Sequence, residues 1–251
     1  MWWTYWKADK SDRKRLIEVS AKRFLYFYSM QLSSDIFSFF SQLAQNNKRE
    51  WFEAHKQEFK ALESAVKQFG EALKDQLNHH DSIDRFKLFR IYRDVRFSKD
   101  KTPYKTHFGL NWHRVKPELR GGYYLHLKPN DIFLACGFWD PSPADLKRIR
   151  QELAMDGDEY RHIINAPNFK SVWGELQGDA VKTAPKGFAK DHPNIDLLRF
   201  KQHLFSVHYT QEEATAPDFL DRLDRDLQTV RPFVDYMTDV LTTDLNGESL
   251  L

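Results

Sequence analysis

The sequence predicts an α+β fold: an antiparallel sheet built from two or more hairpins, packed by a long N-terminal helix and by C-terminal helices. Three observations predict it. Residues 86–112, FKLFRIYRDVRFSKDKTPYKTHFGLNW, alternate apolar and polar side chains on either side of a turn-like stretch at 98–103. Residues 123–138 alternate in the same way around Pro129-Asn130. Residues 51–77 instead repeat at the helical period, through Trp51, His55, Phe59, Leu62, Val66, Phe69, Leu73 and Leu77.

Composition sets the bounds. At 251 residues, 41% hydrophobic and 29% charged, the chain is that of a globular protein with a sizeable core, in one large domain or two small ones. Residues 30–251 carry no repeat, low-complexity tract or linker and are expected to form a single α+β domain. No apolar run approaches the roughly eighteen residues of a membrane span. The one cysteine, Cys136, excludes an internal disulfide and suits a reducing, cytoplasmic setting.

Taken in order, residues 1–29 hold three of the seven tryptophans, seven Lys/Arg against three Asp/Glu, and no clean helical stripe over the first dozen positions. They are expected to be a poorly ordered extension, with Met30, just ahead of a helix start, as a candidate initiator. The FLYFY run is too short for a secretory signal core. Ser33 and Ser34 are expected to cap a helix that buries Ile36, Phe39, Phe40 and Leu43. Asn46-Asn47 ends it, and Asn47 caps the long helix over 47–78 with Glu50 in the capping-box position. His55, inside that helix's stripe, reads as a hydrogen-bonded core residue rather than a ligand.

A six-residue connection in the central hairpin sets Phe97 opposite Tyr104, Val95 opposite Thr106, Ile91 opposite Leu110 and Phe89 opposite Trp112. The other face then pairs Arg96 with Lys105 and Asp94 with His107. In the second hairpin Cys136 falls across from Tyr123, and His126 across from Phe133. Cys136 and His126 therefore point to opposite faces, which argues against a thiol–imidazole dyad and makes Cys136 a small buried hydrophobe. Ser142 and Pro143 open a helix with Leu146, Ile149 and Leu153 inward. A short helix over 160–164 and a turn-rich loop over 169–187 follow. A helix over 194–205, a short strand over 206–209 and a C-terminal helix from Pro217, kinked or restarted at Arg231-Pro232, complete the chain.

Charge locates the candidate site. Residues 85–120 contain eleven Lys/Arg against Asp94, Asp100 and Glu118, although the whole chain is only +2. A mildly acidic body with one concentrated basic segment points to a specific anion site and argues against coating nucleic acid along a whole surface. Like charges directly opposite on a hairpin are destabilising unless something negative lies between them. Arg90, Arg96, Lys99, Lys101 and Lys105 are the candidate ligand-binding residues, with Lys186 and His192 second because their loop is long. Asp94 opposite His107 would orient an imidazole for acid/base work. The leading reading is binding of a small phosphate- or carboxylate-bearing ligand, with or without a reaction on it. A nucleic-acid-binding accessory role and a purely structural charge network, with Arg93 as a buried partner, are the alternatives. Metal-ligand spacing, nucleotide-binding glycine motifs and nucleophile elbows are absent, so neither metal nor cofactor is expected. The identity of the anion, the existence of a reaction and the oligomeric state stay open.

NNKREWFEAHK at 46–56, FRIYRDVRFSKDKTPYKTHFG at 89–109, YYLHLKPNDIFLACGFWDP at 123–141 and APKGFAKDHPNIDLLRFK at 184–201 resemble a conserved hypothetical protein family, domain of unknown function 2461. The resemblance covers residues 30 to about 241, and the motif at 89–109 is its most specific part. It implies a usual start at Met30, in keeping with an extension before it, and it carries no activity across to this chain.

Overall fold

A computed structural model describes residues 30–251; the expectations for residues 1–29 lie outside the described residues. Helix α1 (Asp35–Gln45) buries Ile36, Phe39, Phe40 and Leu43 as expected, together with Phe37. Ser34 takes the N-cap position without a side-chain bond, while Ser33 Oγ accepts from the Asp35 amide at 3.1 Å. The long helix expected over 47–78 is two helices, α2 (Arg49–Ala54) and α3 (Lys56–Leu77), joined at His55 with φ −108° and ψ 10°. His55 stacks on Trp51 at 3.9 Å between ring centroids, and its Nδ1 lies 2.8 Å from the Trp51 carbonyl. A side chain that competes for a helical carbonyl loosens the turn there. Asn47 does not cap α2, because its amide is engaged by Tyr104.

Five strands follow: β1 (Ile83–Leu88), β2 (Phe108–Arg114), β3 (Gly122–Lys128), β4 (Asp131–Phe138) and β5 (His203–Tyr209). They form one antiparallel sheet in sequence order. The β3–β4 hairpin has the expected register, with Tyr123 opposite Cys136 and His126 opposite Phe133, and it turns through Asn130 at φ 59°. The central hairpin does not. Leu88 faces Leu110 and Phe86 faces Trp112, and residues 89–107 leave the sheet as an excursion closed by the single bridge Tyr92–Tyr104. Packing against helix overrides the alternation there. Tyr104 stacks on Phe52 of α2 at 4.1 Å, and both its backbone groups bond the Asn47 side chain, at 2.9 and 3.1 Å. Phe97, expected on the apolar face, is 96% exposed.

Helix α4 (Pro143–Met155) starts as expected, with the Asp145 amide donating to Ser142 Oγ at 3.1 Å. Helices α5 (Asp158–Asn165) and α6 (Pro167–Trp173) come next. The helix expected over 194–205 shortens to α7 (Ile195–Leu198), because residues from His203 onward are drawn into β5 by pairing with β4. After α8 (Gln211–Ala214), helix α9 (Phe219–Thr242) runs through Pro232 without a break.

The helices cover one face of the sheet, where Phe108, Leu110, Trp112, Tyr123, Leu125, Leu134 and Phe205 are buried. Trp112 Nε1 donates to the Gly70 carbonyl of α3 at 2.9 Å. A Cβ at Gly70 would lie 2.1 Å from the Phe86 ring, so only glycine permits this approach. Beside α9 the same face holds a charged network. Arg114, with no exposed side-chain surface, donates to Asp81 at 3.1 Å and to Asp235, and the Tyr123 hydroxyl donates to Asp81 at 2.5 Å. The helices leave the opposite face only half-buried.

Candidate functional site

Alternation along the strands puts Asn111, His113, Tyr124, His126, Phe133 and Ala135 on the face away from the helices. These side chains floor a cleft of about 800 Å³, with Phe89 and His107 at one end and Lys116, Arg120, Trp139 and Asp145 at the other. Clefts of a few hundred to a thousand cubic ångströms hold small organic ligands.

At the first end two imidazoles meet. The rings of His107 and His126 are 4.2 Å apart, and His126 stacks on Phe133 at 4.8 Å. Burial, then His126 and Lys105, push the His107 pKa down to about 4. Burial lowers that of His126 as well. The Tyr124 hydroxyl lies 3.0 Å from His126 Nδ1, and burial raises the phenol to about 12. One row on, Asn111 Nδ2 donates to His113 Nε2 at 2.9 Å, and His113 too is lowered by burial. All three imidazoles are thus biased toward the neutral form near pH 7.

A cationic edge adjoins this end. Lys87 Nζ and Lys105 Nζ stand 5.0 and 5.3 Å from the centroid of the same Phe89 ring. Burial, followed by Arg90 and Lys87, lowers the Lys105 pKa. Among the described residues Lys87, Arg90 and Lys105 form no salt bridge with a carboxylate. At the far end Arg120 is paired, at 2.7 Å, with Asp145.

The structure brings Arg90, Lys105 and His107 of the expected set to this edge, and the others elsewhere. Asp94 is not opposite His107, because Lys105 N bonds the Ile91 carbonyl and Arg93 N bonds that of Pro103. The Asp94 carboxylate instead takes a two-pronged contact from Arg96, at 3.0 and 2.7 Å, which holds its pKa below the usual range. Arg96 and Lys105 are likewise not paired across a hairpin. Lys101 Nζ donates to the Val95 carbonyl at 2.9 Å, and Arg93 bonds Asp100 and Thr102, so these cations shape the excursion from within. Lys99 is exposed on the same loop. Lys186 is exposed, His192 Nδ1 accepts from the Asn194 amide at 3.1 Å, and neither lines the cleft.

Sequence reasoning placed His126 correctly but did not read it as a site residue, and it missed Lys87, Asn111, His113, Tyr124 and Trp139. The signal was present in two short patterns, Asn-x-His at 111–113 and Tyr-x-His at 124–126. Each places a bonded pair on one strand face. Cys136 points into the core, and burial raises its thiol pKa well above normal.

Among the described residues no group of three or more His, Cys, Asp or Glu side chains is placed to hold a metal ion. No described helix is long and apolar enough to cross a membrane. No curated protein and no solved structure matches the chain. Residues 35–236 match the family described as Conserved hypothetical protein (DUF2461), and the chain belongs to that family.

Proposed function

We propose that the open sheet face binds a small phosphate- or carboxylate-bearing ligand, its anionic group seated where the Phe89–His107 end of the cleft meets Lys87, Arg90 and Lys105. The observation that carries this reading is the meeting of Lys87 and Lys105 at the Phe89 ring, with Arg90 close enough to lower the Lys105 pKa, and with no carboxylate salt bridge to any of the three among the described residues. A cluster of like charges is unfavourable by itself and becomes favourable when an anion arrives. His107 and His126, close together and biased to the neutral form, are the acid/base candidates if a reaction follows binding. In this reading Asp94 serves with Arg96 to shape the excursion, and not to orient His107.

The test is thermal denaturation of wild type and Lys105→Ala with and without millimolar phosphate or sulfate. Ligand stabilises the native state by mass action, so the measurement does not need the true substrate. Lys105→Ala is expected to raise the apo melting temperature slightly, by relieving repulsion from Arg90 and Lys87, and to weaken the response to phosphate. A mutant less stable than wild type throughout, with the same phosphate response, would turn the cluster into a structural feature. One observation favours a nucleic-acid reading as an alternative: Phe97 is almost fully exposed between Arg96 and Lys99 on the excursion. A salt titration separates the two, since many phosphate contacts give a steep fall of affinity with salt and one anion gives a shallow one.

A further inference from the structure

An inorganic anion at the Lys105 edge would leave most of an 800 Å³ cleft empty, so the body of the ligand must be sought toward the other end. The geometry there points to a flat aromatic ring. On the open face at the start of β3 and the end of β4, the floor consists of Gly122, Ala135 and Gly137, positions that project at most a methyl group. Two of them cannot carry more. A Cβ at Gly122 would lie 2.7 Å from the Trp112 carbonyl oxygen, and one at Gly137, at φ 123°, would lie 2.0 Å from that of His203. One residue past the end of β4, Trp139 lines the same cleft and is 70% exposed. Asn111, Lys116, Asp140 and the Arg120–Asp145 pair supply donors and acceptors around it.

The spacing between the two ends fits one molecule. His126 lies across from Gly109, and Gly122 across from His113. Four residues of strand separate these rows, about 13 Å at the usual rise, comparable to the long dimension of a mononucleotide. We infer that the ligand of the proposed anion site is an aromatic anion of mononucleotide size, with its phosphate or carboxylate at the Lys105–His107 end and its planar ring on the Gly122–Ala135–Gly137 floor against Trp139. This rests on the anion reading above and adds the ring subsite to it. Aromatic stacking suits the floor because every planar ring presents a π-face, whatever its hydrogen-bonding edge.

Calorimetric titration of the full chain tests it with probes that separate the two ends. AMP, UMP and flavin mononucleotide carry both ring and phosphate, ribose 5-phosphate carries only the phosphate, and adenosine carries only the ring. At least one of the first three is expected to bind roughly tenfold or more tighter than ribose 5-phosphate, in line with the loss seen when a stacking aromatic is removed. Trp139→Ala should abolish that advantage and leave ribose 5-phosphate binding unchanged, and the exposure of Trp139 makes the substitution safe for folding. Lys105→Ala should weaken every phosphate-bearing probe and leave adenosine unaffected. If no ring-bearing phosphate exceeds ribose 5-phosphate, the ring subsite is overturned while the anion site stands. An advantage that survives Trp139→Ala overturns the assignment of the ring to Trp139. If neither ribose 5-phosphate nor inorganic phosphate binds at all, the anion reading falls and the inference with it.

Discussion

Arg114 ends β2 with its guanidinium out of solvent, sharing Asp81 with the Tyr123 hydroxyl and reaching Asp235 on α9. In the sequence it is one of eleven basic residues in the same segment, and only burial distinguishes it from those that face water. Removing one partner of a buried pair leaves an uncompensated charge, which costs far more than the intact pair contributes. Arg114→Leu should therefore lower stability by about 3–5 kcal/mol in urea denaturation. Replacing Arg114, Asp81 and Tyr123 together by apolar residues should recover part of the loss. A single-mutant cost below about 1 kcal/mol would mean that the pair is solvated rather than buried. His203 couples stability to pH. It packs beside Tyr160, whose hydroxyl is 2.8 Å from Nδ1, and burial followed by Arg150 drives its pKa from 6.5 to about 4. The folded state thus binds fewer protons than the unfolded chain between those values. Stability should fall as pH is lowered from about 6.5 toward about 4, with His107 contributing in the same sense. In melts across that window His203→Gln should show a shallower acid-side decline. An unchanged slope would locate the proton uptake elsewhere.

At the scale of elements, the excursion over 89–107 marks the boundary of what was legible. Alternation alone set the β3–β4 register correctly, because the hairpin turns tightly at Pro129-Asn130 and nothing interrupts the pairing. The same pattern failed over 89–107. There the residues that keep the chain out of the sheet, Asn47 and Phe52, lie about fifty positions away and cannot be seen in a local window. The break at His55 was hidden for a related reason: the apolar stripe continues through a helix junction as easily as through a helix. Asn47→Ala should strip both backbone groups of Tyr104 of their partners and destabilise the excursion by about 1–3 kcal/mol, read as faster amide exchange over 89–107. Phe97→Ser, by contrast, should alter global stability by no more than about 0.5 kcal/mol because the ring packs on little but solvent. If Phe97→Ser unfolds the protein and Asn47→Ala is silent, the excursion is docked by its tip and not by its base.

At the scale of the molecule, the described residues form a five-stranded antiparallel sheet with helices on one face and a cleft on the other. Its α+β class was legible because helical and strand periods segregate along the chain, and a sheet covered on one side needs only one apolar face per strand. The location of the basic segment was legible too. Which of its cations stay without a carboxylate among the described residues was not, since that depends on whether Asp94 and Asp100 turn back onto Arg96 and Arg93. The local pairing removes Arg96 and Arg93 from the set of unpaired charges, and β1, which begins before the expected hairpin, adds Lys87 to it. The imidazoles of the cleft come from β2 with the residue just before it and from β3, so the meeting of His107 and His126 depends on the register of that strand pair. Anion binding at this edge is most directly measured in a crystal structure obtained with tungstate, a heavy and easily located stand-in for phosphate. One strong site is expected within hydrogen-bonding reach of Lys105 Nζ, bordered by Arg90 or Lys87 and facing His107. Tungstate bound only around the excursion cations Lys99 and Lys101, or absent from the open face of the sheet, would contradict it.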